Sequence, residues 1–442
     1  MTDWCLDDMD AVSKHSGLAT RLSTLNTKTG GLYITAFIIG LLAGVLAFVL
    51  KRMIATVSIL VTNGLEVSTG NWSLLLLPVA GILLASIFQR YCIHKNLSHG
   101  VEKLWKSLHH HNYILSPKIL YGPMIANTFT LGFGGSAGAE GPIAYTGAAV
   151  GSNMGKMFGF TGDTLMLLVA CGAGAGIAGI FTAPLGGVLF SLEILQVAFT
   201  TTGVIALVIA CATAGLTAFA CAGMRVNIDF SYHMPFEPWV LWWVILLGVA
   251  CGLFSAYYII IMKTVRRYLS AVSNPWIKNI IAGATIGVLV YTFPSLYGEG
   301  YGIVSDIINN HYDAIVDNGP FYEAVQHPGT LVLYAAGIMM CKAFSTSSTN
   351  SGGGVAGDFA PTLFAGAVVG LVFALGLNSL LGLDLPVGTL AFIAMAGVMS
   401  GAVKAPLMAM FLVAETTGVM DMLLPLAIVS AISYGVTKLL KQ

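Results

Sequence analysis

The sequence predicts an all-α, polytopic membrane protein built from two related halves, and three observations carry that prediction. Of its 442 residues, 56% are hydrophobic and only 9% charged, and the mean hydropathy is +0.83; soluble domains carry about 25% charged residues. Apolar segments follow one another almost without pause, many shorter than the roughly 20 residues that a perpendicular span needs. Glycine or proline separates them, a pattern of interrupted helices that places backbone ends at the bilayer midplane. Finally, the chain repeats. Ala183-Pro184-Leu185 opens a segment that reaches Glu193, and Ala405-Pro406-Leu407 opens one that reaches Glu415 at the same offset. Gly138-Ala139-Glu140-Gly141-Pro142, followed by Gly147 to Gly151, pairs with Gly357-Asp358-Phe359-Ala360-Pro361, followed by Gly366 to Gly370.

Taken in order, residues 1–29 form a polar segment carrying Asp3, Asp7, Asp8 and Asp10. It lacks the basic start and apolar run of a signal peptide and is expected to lie in the cytoplasm. The membrane domain then occupies residues 30–442, with repeat 1 over about 30–222 and repeat 2 over about 238–442. Apolar helices are expected from Ile34 through Leu50 to Thr62, over Trp72–Ile93 and over Ile119–Phe133, with a polar, His-rich connection from His94 to Ser116. Pro142–Phe158, Leu165–Phe181, Pro184–Phe199 and Val204–Ala222 complete the first half. After a polar bridge, Gly223–Glu237, come Trp239–Met262 and Ile280–Phe293. A polar stretch, Tyr297–Pro328, precedes Leu331–Phe344, Phe359–Leu381, Leu390–Val403, Pro406–Val419 and Leu423–Leu440.

Twenty basic and twenty acidic residues balance, so nothing suggests a nucleic-acid partner. Basic residues cluster at Arg90, Lys95, Lys103 and Lys106, at Lys263, Arg266 and Arg267, and at Lys438 and Lys441; the positive-inside rule places all three groups in the cytoplasm. Seven scattered cysteines, with no Cys-x-x-Cys, read as small apolar residues and imply neither disulfides nor a metal site. No cofactor is implied.

One stretch concentrates the chemistry: Gly134-Gly135-Ser136-Ala137-Gly138-Ala139-Glu140-Gly141-Pro142-Ile143. Glycines before a helix start let the chain bend and expose amides, and Pro142 suits a first helical turn. Free amides and the helix dipole make an anion site. Glu140 is itself an anion at such a site, so it competes with whatever anion binds there. A carboxylate inside a membrane is functional by default; the plainer alternative is a buried structural hydrogen bond. Glu193 and Glu415 suit structural roles, capping or pairing within the helix bundle. His109-His110-His111 reads as a solvated loop, because consecutive side chains on a helix diverge too far to share a metal. Gly174 to Gly179 matches a dinucleotide fingerprint in letters only, since it lies in an apolar segment where small residues pack helices closely. Gly134-Gly135-Ser136-Ala137-Gly138 spells Gly-x-Ser-x-Gly without the strand-to-helix elbow of a hydrolase.

With these residues in view, the chain resembles the CLC family of chloride channels and proton-coupled chloride transporters, from about residue 31 to its end. Gly138-Ala139-Glu140-Gly141-Pro142 is similar to the family's Gly-(Lys/Arg)-Glu-Gly-Pro, and Gly357-Asp358-Phe359-Ala360-Pro361 to its Gly-x-Phe-x-Pro. Ser98-His99-Gly100-Val101-Glu102 falls where the family has Gly-Ser-Gly-Ile-Pro, and Ala405–Glu415 resembles its penultimate long helix. The resemblance implies two inverted-topology repeats of short, tilted and broken helices. It implies a homodimer with one pore per subunit, in the inner membrane of a bacterium. It implies transport of chloride or a similar small anion, by channel or by proton exchange, with Glu140 as the gate. The implied anion ligands are Ser98, His99 and Gly100, Ala139 and Gly141 beside Glu140, and Asp358, Phe359 and Ala360.

The chain also departs from the family. Ala139 replaces a basic residue, and His99 and Glu102 replace serine and proline. A histidine at 99 that titrates near neutrality would make binding pH-sensitive. Ile194 stands where many exchangers carry an internal proton-transfer glutamate, which points to weak or absent proton coupling. The family's pore tyrosine belongs to a short helix beyond the last apolar one; Tyr434 lies inside that apolar helix and is not its counterpart. No regulatory domain is expected after it. Two rival functions stand beside this reading. One is a secondary transporter of fluoride, nitrate or an organic anion; the other is an intramembrane serine hydrolase using Ser136. The amide-built site and the absence of Arg or Lys from the pore favour a small inorganic anion, because scattered partial charges bind an anion without trapping it.

Overall fold

The computed structural model describes residues 29–62, 72–111, 113–223, 228, 238–317, 319–325 and 327–440. The expected polar N-terminal segment, apart from residue 29, and most of the Gly223–Glu237 bridge lie outside the described residues. Sixteen α-helices and no strands occur among them. In the first half these are α1 (Thr29–Thr62), α2 (Ser73–Phe88), α3 (Gly100–His109), α4 (Gly122–Gly132), α5 (Glu140–Met157), α6 (Gly162–Phe181), α7 (Pro184–Leu189) and α8 (Thr201–Cys221). The second half has α9 (Leu241–Ala271), α10 (Pro275–Thr292), α11 (Tyr301–Ile308), α12 (Pro328–Ser351), α13 (Phe359–Leu381), α14 (Val387–Val403), α15 (Pro406–Thr417) and α16 (Leu423–Leu439). Seven helices among the described residues are long and apolar enough to cross a membrane, and the protein is an integral, multi-pass membrane protein.

The packing repeats helix for helix. α1 lies against α4, α6 and α8, as α9 lies against α12, α14 and α16. α5 packs on α6 and α13 on α14; α3 rests on α5 and α11 on α13. Two major contacts cross between the halves, α2 with α10 and α7 with α15, and each joins equivalent helices, as an approximate two-fold requires. Small residues make the closest crossings: a Cβ on Gly147 or Gly151 would enter the backbone of α6, and one on Gly366 or Gly370 that of α14. The recurrent small residues four apart are therefore backbone-contact points.

Helix boundaries follow local chemistry. Asn274 caps α10 by accepting from the amides of Trp276 and Ile277, with Pro275 in the first turn, so the helix begins earlier than the expected Ile280. α1 runs for 34 residues, about 51 Å at 1.5 Å per residue, and must tilt in a hydrocarbon layer about 30 Å thick. The Pro184–Phe199 expectation is shortened: after α7 the chain winds as a π-helix over Phe190–Ile194 and stops. Two elements contradict the sequence reading. The polar connection contains α3, whose Leu104 and Leu108 are buried while Lys106 and His109 face out, and His109 ends this helix stacked on Trp105 at 4.0 Å. The acidic stretch contains α11, which buries Val304, Ile307 and Ile308. Amphipathic helices this short carry too few apolar residues to stand out beside membrane spans.

Candidate functional site

The two glycine-rich segments meet where the halves join. Gly138 and Gly357, equivalent in the sequence repeat, exchange backbone hydrogen bonds: Gly138 N–H donates to Gly357 O at 3.0 Å, and Gly357 N–H to Gly138 O at 2.7 Å. A Cβ on either would overlap the Glu140 carboxylate, so the carboxylate keeps its seat because both positions are glycine. The loop is shaped by Gly134, whose φ of +89° lies in the left-handed region, packed under the Tyr297 ring. Asn127 from α4 ties the two segments together by donating to Val355 O at 2.8 Å.

Glu140 is 1% exposed. Its Oε1 accepts from Ala360 N–H at 2.6 Å and from the Tyr301 hydroxyl at 3.4 Å. Oε2 has no hydrogen-bond partner among the described residues. The carboxylate thus sits at the start of α13, in the other half of the chain, and not on its own helix. Amides and dipole at that end favour negative charge. A second carboxylate takes the neighbouring helix start: Glu299 Oε1 accepts from Ala139 N–H at 3.2 Å.

Beneath this junction opens a cavity of about 640 Å³. His99, Gly100, Gly141, Asp358 and Phe359 line it, so five of the expected site residues share one space. The cavity reaches Gly141 and Gly357, the neighbours of Glu140. Ala139 and Ala360 stay buried behind it and take part through their amides. Ser98 is the exception to the expected set: its hydroxyl donates to Gly354 O at 2.7 Å, so its proton is not available to an anion. The ring of Phe359 meets Phe190 edge-on at 5.9 Å.

The cavity wall is basic. Lys263 and Arg266 from α9 and Lys404 after α14 line it, and Glu102 holds Arg266 at 3.1 Å and Lys106 at 2.7 Å. Two of the expected cytoplasmic clusters therefore meet at one mouth. The Lys106 hydrogen bond, aided by Arg266, lowers Glu102 to a pKa of about 2. Burial, reinforced by Arg266, lowers His99 to about 4. At neutral pH the imidazole is uncharged, so of the two states open to it from the sequence, neutral or protonated near pH 7, the structure favours the neutral one.

Sequence reasoning missed the buried lysines. Lys342 on α12 is fully buried, donates to Ser136 Oγ at 2.9 Å and lies 4.6 Å over the Phe364 ring. Its charge faces those of Glu140 and Glu299, and Lys51 on α1 acts on Glu299 as well. The expectation of a pathway without Arg or Lys is corrected by Lys263, Arg266 and Lys404, which line the inner cavity; Lys342 lines none of the described cavities. Lys342 is the lone charge of an apolar helix and Lys51 stands beside Arg52 in another, each with a partner more than 100 residues away, so only the fold reveals the cluster. The same bond bears on the hydrolase alternative: Ser136 sits beside a lysine amine but is fully buried and lines none of the described cavities.

Glu193 and Glu415 serve as caps. Glu193 accepts from the amides of Leu407 (3.2 Å) and Met408 (2.7 Å), and Glu415 from those of Leu185 (3.0 Å) and Gly186 (2.8 Å).

Residues 80–438 match the family described as voltage gated chloride channel. The chain belongs to the CLC family. It is 27% identical over 373 residues to a ClcB-like protein of Ralstonia nicotianae, covering 82% of each. To the H(+)/Cl(-) exchange transporter ClcA of Vibrio vulnificus it is 29% identical over 313 residues, covering 68% of this chain and 62% of that protein. Among solved structures, a slow cyanobacterial Cl-/H+ antiporter superposes with a TM-score of 0.79 at 23% identity, covering 92% of this chain and 94% of the other. A CLC-type fluoride/proton antiporter gives 0.70 at 22% identity, over 92% and 95%. The CLC fold of these neighbours is the architecture described above, and the named relatives are transporters and channels.

Proposed function

We propose that this CLC protein carries small inorganic anions, chloride foremost, across the inner membrane of a bacterium, with Glu140 as the gate. The observation that carries this reading is the bond from Ala360 N–H to the Glu140 carboxylate. A carboxylate on a helix start occupies the place where a mobile anion would be held by the same amide. When Glu140 ionises and stays seated, it closes the path. When it is protonated, or displaced by an anion, the amide at the start of α13 is released. Below the gate, Asp358, Phe359 and the neutral His99 border the cavity where a central anion would rest, held by the amides of the first two. Lys263, Arg266 and Lys404 raise the local concentration of anions at its mouth. Gating, ligand set and homodimeric assembly form one proposal, supported by the family, the bond geometry and the shared cavity.

The test is anion efflux from proteoliposomes holding the purified protein, with proton movement recorded at the same time. Chloride efflux well above that of empty vesicles is expected. Efflux equal to empty vesicles for chloride, fluoride and nitrate alike would remove the reading.

A further inference from the structure

The Glu102 to Lys404 cavity holds a carboxyl group that neither the gate nor the amide ligands use. Asp358 occupies the residue before α13, yet its side chain does not cap that helix. Instead it lines the cavity and accepts from the Asn350 side-chain amide on α12. Asn350 is 3% exposed, lines the same cavity, and its Oδ1 has no partner among the described residues. That amide suits both states of an acid. Its NH2 donates to the carboxylate, and after a flip its carbonyl oxygen can accept from the protonated carboxyl.

The surroundings set a direction for the proton. From α9, Lys263 and Arg266 face the cavity, and so does Tyr258, whose phenol is buried against Thr346 within reach of the charges of both Asp358 and Glu140. Glu102 and His99 stand on the α3 side, and Lys404 follows α14. Glu102 is neutralised by Lys106 and Arg266, and His99 is uncharged, so neither is placed to hand a proton inward. Glu193 is occupied by the amides of α15. Ile194, apolar, lines the same cavity. Asp358 is the acid in this space whose charge also acts on Glu140.

We propose that the Asp358 carboxyl group is the proton acceptor of the inner cavity, protonated from the cytoplasmic side as an anion enters and passing that proton to Glu140. The inference rests on the anion-transport reading above. An ionised Asp358 at the start of α13 repels an anion bound at the same helix end, so anion entry and protonation favour each other. The carboxylate takes a proton from cytoplasmic water. An O–H bond breaks at Asp358 and one forms at the Glu140 carboxylate, directly or through the Tyr258 hydroxyl. Neutral Glu140 then leaves the Ala360 amide and loses its proton outside. No electrons are exchanged, and one proton crosses while anions pass the other way. The position of Ile194 pointed to weak coupling; an acid from a different helix, facing the same cavity, supplies what that position lacks.

The experiment imposes a steep chloride gradient across proteoliposomes of the full chain and records chloride and protons together. The unmodified protein should move protons uphill. Asp358→Asn should lower the number of protons moved per chloride about a hundredfold, the lower end of the range for loss of a proton-transferring group, and Asp358→Glu should restore proton movement. A second measurement does not depend on transport. In the Glu140→Gln background, where the outer carboxylate no longer titrates, chloride binding near pH 6 should take up protons, read by calorimetry in buffers of different ionisation enthalpy. Adding Asp358→Asn should abolish that uptake. Wild-type protein that moves chloride with no proton movement overturns the role of Asp358 and leaves the anion-transport reading standing. So does an Asp358→Asn variant with the wild-type proton ratio, or proton uptake that is absent in the Glu140→Gln background or survives Asp358→Asn. Absence of any anion flux overturns the transport reading itself.

Discussion

Glu193 and Glu415 cap each other's helices across the two halves: Glu193 receives the first amides of α15, which carries Glu415, and Glu415 receives the first amides of α7, which leads to Glu193. Each stands at the equivalent place in the repeat. The exchange closes the contact between α7 and α15 and satisfies helix-start amides that a membrane interior would leave bare.

Both carboxylates are therefore expected to be structural. Glu193→Ala or Glu415→Ala should destabilise the protein by about 1–2 kcal/mol, the scale of a lost cap, seen as a lower Tm in detergent. Glu193→Gln and Glu415→Gln should leave the response of anion efflux to external pH intact. A pH response abolished by either Gln variant would show that these groups belong to the transport path.

Glu140→Gln keeps the size of the gate and removes its charge. Efflux through this variant should be nearly independent of external pH from about 4 to 8, a window that brackets carboxylate titration, and proton movement should cease. Retention of the wild-type pH profile would dismiss Glu140 as the gate.

Gly357→Ala tests the seat rather than the gate. The added Cβ overlaps the Glu140 carboxylate and crowds the Gly141 amide, so the carboxylate should be pushed off the Ala360 amide. The expected outcome is a raised efflux at neutral external pH, approaching that of Glu140→Gln. Efflux that stays as pH-dependent as in the unmodified protein would mean that the carboxylate closes the path from another position.

His99 should affect acid stability and not gating near neutrality. Its pKa falls from 6.5 to about 4 on folding, through burial and then Arg266. Between those values the unfolded chain binds the proton and the folded protein does not, so stability declines as pH falls from about 6.5 towards 4 and this contribution levels off below. His99→Asn should flatten that part of the Tm–pH curve. An unchanged slope over pH 4–6.5 would place the acid sensitivity elsewhere.

Assembly as a homodimer, with one pathway per subunit, should appear as two chains per particle by light scattering. Val204–Ala222 and Pro406–Val419 are the candidate interface segments, and Val208, Leu216 and Leu407 project outward from them. Cysteine pairs placed on these residues should cross-link; an active, stable monomer would count against dimerisation as a requirement.

Composition, interruption by glycine and proline, and internal repetition are local properties, so the chain alone determined the membrane class, the two halves and the unusual position of Glu140 between glycines. It also marked Glu193 and Glu415 as equivalents. Partners lying 220 and 256 residues apart are not local. That Glu140 sits on Ala360, that Gly138 bonds Gly357, and that Ser98 turns to Gly354 depended on how the halves dock. Lys342 and Asp358 make the same point: in sequence one is a lone charge in an apolar helix and the other the variable letter of a motif. Burial beside Ser136 and exposure to the inner cavity give them their chemistry, because charge inside a membrane is governed by what the packed helices bring within a few ångströms.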